Sequence, residues 1–89
     1  MLGTESSHFA VTFGSVLRRL RKEAGLSQEA LGFEAELQRN YISLMELGRY
    51  QPTLATVFKL AYALETSPSA LVAQVEAALA DQRKRPKSR

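Results

Sequence analysis

The chain has 89 residues, of which 45% are hydrophobic, so it suits one small globular domain and is not globally disordered. It has no cysteine, which excludes disulfides and thiolate zinc sites and fits a reducing cytoplasm. No segment approaches the ~20 consecutive apolar residues of a membrane span, and the N-terminus lacks a signal-peptide pattern. We therefore expect a cytoplasmic protein with no membrane segment.

The formal net charge of +3 is concentrated near the C-terminus. The segment 81–89, DQRKRPKSR, has five basic residues and one acidic residue, which leaves residues 1–80 with seven basic and eight acidic ones. Net charge alone therefore does not predict that the domain binds nucleic acid. The tail has no periodicity, so we predict that residues 81–89 are disordered and provide either non-specific phosphate attraction or solubility.

Small and polar residues at the start predict a flexible lead-in over residues 1–8, with the folded domain over residues 9–80. The first helix is predicted to begin between Ser7 and Thr12 and to end at Gly25. Its apolar stripe comprises Phe13, Val16, Leu17, Leu20 and Ala24. Its basic residues form, on the simplest interpretation, a solvated face, and they are Arg18, Arg19 and Lys22.

Two short helices joined by a tight turn are predicted between Ser27 and Gly48. Ser27 is suited to cap the second helix, and Gly48 is suited to a left-handed cap after the third. One face of the third helix recurs at helical spacing and comprises Tyr41, Ile42, Met45 and Glu46. The other face has donors and acceptors that base edges can read, and it comprises Gln38, Arg39, Asn40, Ser43 and Leu44. Such an exposed polar helix suits a DNA major groove.

Thr53 is predicted to cap a fourth helix, whose inward face is expected to comprise Leu54, Val57, Phe58, Ala61 and Leu64. Ser67 and Pro68 form a start signal for a fifth helix over residues 68–80. That helix is apolar on nearly every side. This pattern indicates either a simple alanine-rich helix or a helix that is buried against other protein surfaces on two sides. A second copy is the simplest second cover, so we predict a dimer interface at Leu71, Val72, Val75 and Leu79.

Two stretches extend the pattern beyond a bare helix-turn-helix: LRRLRKEAGLSQEAL and, after the turn, YISLMELGRYQPTLATVFKLAYALETSPSALV. With these residues, the chain from about Phe13 to Val72 resembles the lambda-repressor-like (Cro/repressor, XRE) helix-turn-helix family. The resemblance implies a compact all-α domain of five helices, with the helix-turn-helix at the second and third. It also implies a transcriptional regulator that binds double-stranded DNA as a homodimer at an inverted-repeat operator.

The resemblance further implies roles for individual residues. Arg21 and Glu46 match a pair that forms a partly buried salt bridge between the first and third helices. Arg39 is the first choice for a base contact, because its planar guanidinium can bridge O6 and N7 of guanine. Phosphate contacts are implied at Gln28, Tyr41, Arg49, Tyr50 and Gln51.

The sequence departs from the family pattern around the turn. Glu36 stands where a glycine is usual, and a glutamate with positive φ would cost about 1–2 kcal/mol there. Ala30 replaces the glutamate that would complete a capping box with Ser27. Gln38 replaces the usual Ser or Thr cap, so we expect the third helix to begin less sharply.

A competing interpretation is a protein-interaction module, or an antitoxin-like partner protein, that keeps the fold with little operator binding. This interpretation is favoured by the weak net charge of residues 1–80, by the apolar fifth helix and by the apolar side chain of Phe33. No enzyme is predicted, because the sequence has no nucleophile–base pair and no glycine-rich phosphate loop. The one histidine, His8, has no cluster of ligand residues beside it, so no metal, cofactor or small-molecule ligand is predicted.

Overall fold

The computed structural model describes the backbone of residues 3–84 and the side chains of residues 8–82. Its elements are all helices, as predicted: α1 (Gly3–Glu23), α2 (Gln28–Ala35), α3 (Arg39–Glu46), α4 (Leu54–Ala63) and α5 (Pro68–Lys84). Helix α1 packs against α3 and α5, α2 packs against α3 and α4, and α4 packs against α5. Within residues 3–84, no helix combines the length and the hydropathy that crossing a membrane would require.

The hydrophobic core receives side chains from every helix. The largest fully buried ones are Leu17, Leu31, Ile42, Met45, Leu60 and Leu71. In the stripe predicted for α1, Phe13, Val16 and Leu17 are buried as expected, whereas Ala24 is exposed because α1 ends at Glu23. In the face predicted for α3, Ile42 and Met45 are completely buried, and Leu31 and Ala35 of α2 are buried in the same core.

Helix α1 begins earlier than the sequence suggested. Its first residue is Gly3, so the lead-in predicted for residues 1–8 is helical from Gly3 onward, while residues 1 and 2 lie outside the described residues. The physical reason is that residues 4–8 contain neither glycine nor proline. Once the packed part of a helix has formed, each further residue adds a hydrogen bond without a new nucleation cost.

The helix ends around the turn have the predicted caps. The Ser27 side chain accepts a hydrogen bond from the amide of Ala30 at 2.9 Å, while Gln38 makes no side-chain cap at the start of α3. Glu36 adopts the left-handed conformation with φ 60° and ψ 41°, as the family's turn glycine implies, and Gly48 has φ 78°. The turn therefore has its ordinary shape despite the glutamate.

Helix α4 faces the core with only part of the predicted side, since Val57 and Ala61 are buried and Leu64 packs against the core as expected. Leu54 is 72% exposed and Phe58 is 42% exposed, although both were expected to face inward. Thr56 and Leu60, which were not predicted, are buried together with Val57 and Ala61. The prediction was wrong for Leu54 and Phe58 because α4 is apolar over more than half of its circumference, so spacing alone fits two orientations.

Helix α5 is longer than predicted and is buried along one side. It reaches Lys84, so residues 81–84 of the predicted disordered tail are helical, and residues 85–89 lie outside the described part. Helix-forming residues continue up to Pro86, which accounts for the extension. The side chain of Gln82 donates a hydrogen bond to Thr12 Oγ1 at 3.2 Å and so joins the end of α5 to α1.

The predicted dimer interface on α5 requires a correction. Leu71 is 1% exposed and Val75 is 6% exposed, because both pack into the core of their own chain. Leu79 also packs against this core and is partly buried, whereas Val72 remains 49% exposed. Of the four predicted residues, Val72 therefore offers the largest surface to a partner.

Candidate nucleic-acid interface

The outer face of α3 is polar and accessible. The predicted base-reading residues Gln38, Arg39 and Asn40 are exposed, and Ser43 and Leu44 are partly exposed on the same helix. They are displayed because Ile42 and Met45, on the opposite face, are completely buried. The structure therefore places these predicted residues together on one surface.

Helix α3 is fixed to α1 by a buried ion pair. Arg21 Nε lies 2.6 Å from Glu46 Oε2, and Arg21 Nη2 lies 3.0 Å from Glu46 Oε1. The two side chains are 10% and 3% exposed, respectively. This is the salt bridge that the family resemblance implies, and its two-point geometry fixes both the distance and the rotation of α3 relative to α1.

The same pair organises the start of α2. Gln28 Nε2 donates a hydrogen bond to Glu46 Oε1 at 3.0 Å, and Arg21 Nη1 donates one to the carbonyl oxygen of Leu26 at 2.8 Å. The hydrogen bond with Glu46 raises the pKa of Arg21 above its ordinary value. Burial of the guanidinium lowers this pKa, and the negative charge of Glu46 raises it further. Gln28 thus braces α3 from a position at the N-terminus of α2.

The segment after α3 carries the remaining predicted phosphate contacts. Arg49, Tyr50 and Gln51 are exposed on the loop between α3 and α4. Tyr50 packs edge-to-face against Tyr41, with their ring centroids 6.0 Å apart. This aromatic contact joins the loop to α3.

Two cations on this surface are available to an anion. Within the described residues, neither Arg39 nor Arg49 forms an ion pair or hydrogen bond through its side chain. Both are exposed, so little desolvation opposes their binding to phosphate or to a base edge. In the part of the chain with described side chains, no group of three or more His, Cys, Asp or Glu residues is placed to hold a metal ion.

Two features of this surface were not predicted. One is the contact between Tyr41 and Tyr50, which follows from the path of the loop. The other is the position of Arg18, which lines one surface depression together with Gln28 and Ser43. Its spacing of three residues from Arg21 placed both on one side of α1, but the sequence did not show which helix that side meets.

Comparison with known proteins agrees with this architecture. Residues 17–71 match the family model HTH_3, described as helix-turn-helix. An uncharacterised HTH-type transcriptional regulator, y4dJ, from Sinorhizobium fredii is 42% identical over 59 residues, which cover 66% of this chain and 77% of that protein.

Solved structures show the same fold. The restriction-modification controller protein C.AhdI from Aeromonas hydrophila superposes with a TM-score of 0.67 at 44% identity, covering 70% of this chain and 94% of that one. The controller protein C.Esp1396I, solved as a tetramer with its natural 35-base-pair operator, superposes with a TM-score of 0.74 at 24% identity, covering 81% and 95%. At that lower identity the second similarity concerns the fold.

Proposed function

This chain belongs to the HTH_3 helix-turn-helix family of DNA-binding transcriptional regulators, and on that premise we propose that it binds an inverted-repeat operator as a homodimer. The observation that carries the proposal is the accessible polar face of α3, fixed to α1 by the Arg21–Glu46 ion pair. A helix held in this way can enter the major groove without a large loss of conformational entropy.

Base recognition is assigned to α3. Arg39 stands at its first helical position and is exposed, so its guanidinium can reach O6 and N7 of a guanine. Asn40 has the donor and acceptor that suit adenine, and Leu44 offers an apolar contact to a thymine methyl. Gln38 and Ser43 complete the set with an amide and a hydroxyl group.

Phosphate contacts are assigned to residues around this face. Gln28 lies at the N-terminus of α2, where backbone amides and the helix dipole favour an anion. Arg49, Tyr50 and Gln51 lie on the loop after α3, and Tyr41 is joined to that loop through its ring. Contacts on both sides of α3 would set its register along the groove.

Dimerisation is assigned to the apolar surface that the monomer leaves uncovered on its last two helices. Leu54, Phe58 and Tyr62 recur every four residues along α4 and are 72%, 42% and 64% exposed, and Val72 is exposed on α5. A second copy would cover such side chains, and a twofold axis would place two α3 helices about 34–36 Å apart, one turn of DNA. C.Esp1396I was solved as a tetramer on its operator, which supports association on DNA for this fold.

The competing proposal is a protein-interaction module in the cytoplasm with little operator binding. The observation that favours it is Phe33, which is 81% exposed on α2. A single exposed apolar residue is common in monomers, whereas Arg39, unpaired within the described residues, and the amides of Gln38 and Asn40 have a specific use in DNA recognition. We therefore rank DNA binding first and propose no catalytic activity.

The test is in-vitro selection from random duplex DNA at near-physiological salt, with sequencing of the bound pool. Enrichment of an inverted repeat is expected, and its centre-to-centre spacing gives the dimer geometry. Light scattering of the complex should then show two chains per operator. Enrichment of no sequence, together with binding that vanishes as salt rises, would contradict the proposal and favour the protein-interaction module.

A further inference from the structure

A shallow depression of about 250 Å³ lies where α1, the start of α2 and α3 meet. It opens beside the face of α3 that carries the predicted base-reading residues, because Ser43 belongs to both. Its lining residues are Arg18, Arg21, Gln28, Ser43, Glu46 and Leu47.

The charges around this depression do not cancel. Glu46 is its single acidic lining residue, and both carboxylate oxygens already accept hydrogen bonds from Arg21, one of them also from Gln28. Arg18 is exposed, and within the described residues its side chain has no hydrogen bond or ion pair. One positive charge therefore remains uncompensated at the edge of the depression.

The next residue along α1 provides a contrast. Arg19 carries the same charge but points to a different side, where its Nη2 donates to Gln74 Oε1 on α5 at 2.9 Å. Its Nη1 also lies 3.6 Å from Glu23 Oε2. Arg19 is thus engaged away from α3, whereas Arg18 is free beside it.

We propose that Arg18 binds a phosphodiester group of the DNA backbone in this depression, together with Gln28. Gln28 uses one amide hydrogen on Glu46 and keeps a second to donate. Arg18 supplies the charge, which the neutral amide cannot. This inference rests on the proposed DNA binding and adds a contact from α1 that fixes the domain on the backbone beside the inserted α3.

Phosphate is the anion that fits this position. The group that binds here must approach from the side on which α3 meets the groove, and the DNA backbone borders the groove along its length. Because Arg18 is exposed and unpaired before binding, pairing with phosphate breaks no existing interaction of its side chain. The contact carries no base information, so it should strengthen binding to every sequence alike.

The experiment compares Arg18→Ala with Arg19→Ala in the full chain, by fluorescence anisotropy on the selected operator and on a scrambled duplex at several salt concentrations. For Arg18→Ala we expect weaker binding to both duplexes by a similar factor, and a log–log salt slope reduced in magnitude by about 0.9, as for one lost phosphate contact. Arg19→Ala should keep the wild-type slope. Arg18→Lys should restore most of it, because a phosphate accepts a point charge.

Thermal unfolding of each variant shows whether any loss comes from misfolding, and we expect no change for Arg18→Ala because its side chain has no partner in the described part of the chain. An Arg18→Ala slope equal to that of wild type would overturn the inference. Equal slope changes in both alanine variants would overturn it as well, since they would indicate long-range charge alone. If wild-type protein binds without sequence preference, the proposed function fails, and the slopes on the scrambled duplex still decide the role of Arg18.

Discussion

The backbone of Gly14 lies directly against the carbonyl oxygen of Met45, so α1 and α3 cross with no side chain between them at this point. A Cβ atom at position 14 would overlap that oxygen and would lie 2.8 Å from the carbonyl oxygen of Glu46. Glycine inside a helix costs about 1 kcal/mol relative to alanine. Here it permits the close crossing that sets the depth of α3 in the domain.

We therefore expect Gly14→Ala to lower the free energy of unfolding by about 1–3 kcal/mol, despite the better helix propensity of alanine, because α3 must move away. Urea unfolding followed by circular dichroism measures the loss. The control is Ser15→Ala, at the next position of α1, where the side chain is exposed. A Gly14→Ala protein as stable as the control would show that the crossing tolerates a methyl group.

The Arg21–Glu46 ion pair should be costly to break from one side. Glu46→Ala leaves the Arg21 guanidinium, whose side chain is 10% exposed, without its carboxylate, and we expect a loss of roughly 3–5 kcal/mol in unfolding free energy. Glu23→Ala is the control, because Glu23 pairs with Arg19 at the surface, where the two side chains are 61% and 47% exposed. That change should have little effect. Similar losses in both variants would contradict the importance of the buried pair.

Glu36 offers a stabilising substitution. Its φ of 60° lies in the left-handed region, where a residue with a Cβ is strained and glycine is not. We expect Glu36→Gly to raise the unfolding free energy by about 0.5–1 kcal/mol, after allowing for the greater freedom of glycine in the unfolded chain. Glu34→Gly is the matched control: it lies inside α2 and should lose about 1 kcal/mol. Two changes of the same sign would refute the strain argument.

Helix caps were the part of the fold that the sequence predicted best, because a cap depends on a few neighbouring residues. Ser27, Thr53 and Ser67 each accept a hydrogen bond from the amide three residues later, at 2.9, 3.1 and 3.0 Å. The positive φ of Glu36 was equally accessible, through the glycine that the family usually has there. Local chemistry and resemblance together were sufficient for these features.

Helix orientation was less accessible, because it depends on which side of an apolar helix meets its neighbours. Phe58 was expected in the core and is 42% exposed, while Leu60, which was not singled out, is completely buried. Gly14 carried no signal of its close contact, since the partner is a backbone oxygen 31 positions further along the chain. On the candidate nucleic-acid interface, the exposed polar face of α3 could be predicted from the spacing of its residues. The position of Arg18 could not, because it depends on how α1 crosses α3 in three dimensions.

On α5, the residue that stabilises the fold, Leu71, differs from the residue that is exposed for association, Val72. Leu71 is 1% exposed, so Leu71→Ala should remove about 2–5 kcal/mol from the stability of the fold. Val72 is 49% exposed, so Val72→Glu should leave the helical content unchanged and shift the chain toward monomer. Circular dichroism and light scattering over a range of concentrations distinguish these results. A stable Leu71→Ala protein that is monomeric would restore Leu71 to the dimer interface.

Arg39 should contribute to sequence preference, not merely to attraction. If its guanidinium bridges O6 and N7 of a guanine, Arg39→Ala should weaken binding to the selected operator by about 1–3 kcal/mol and relax the preference at one position of each half-site.

Arg49→Ala is the matched control, because Arg49 is also exposed and without a side-chain partner in the described residues, but lies on the loop assigned to phosphate. It should weaken binding to the operator and to a scrambled duplex by the same factor. Anisotropy titrations of both variants on both duplexes provide the four dissociation constants that this comparison requires. Equal losses on the two duplexes for Arg39→Ala would move Arg39 from base recognition to the phosphate backbone, and base reading would then fall to Gln38, Asn40, Ser43 and Leu44.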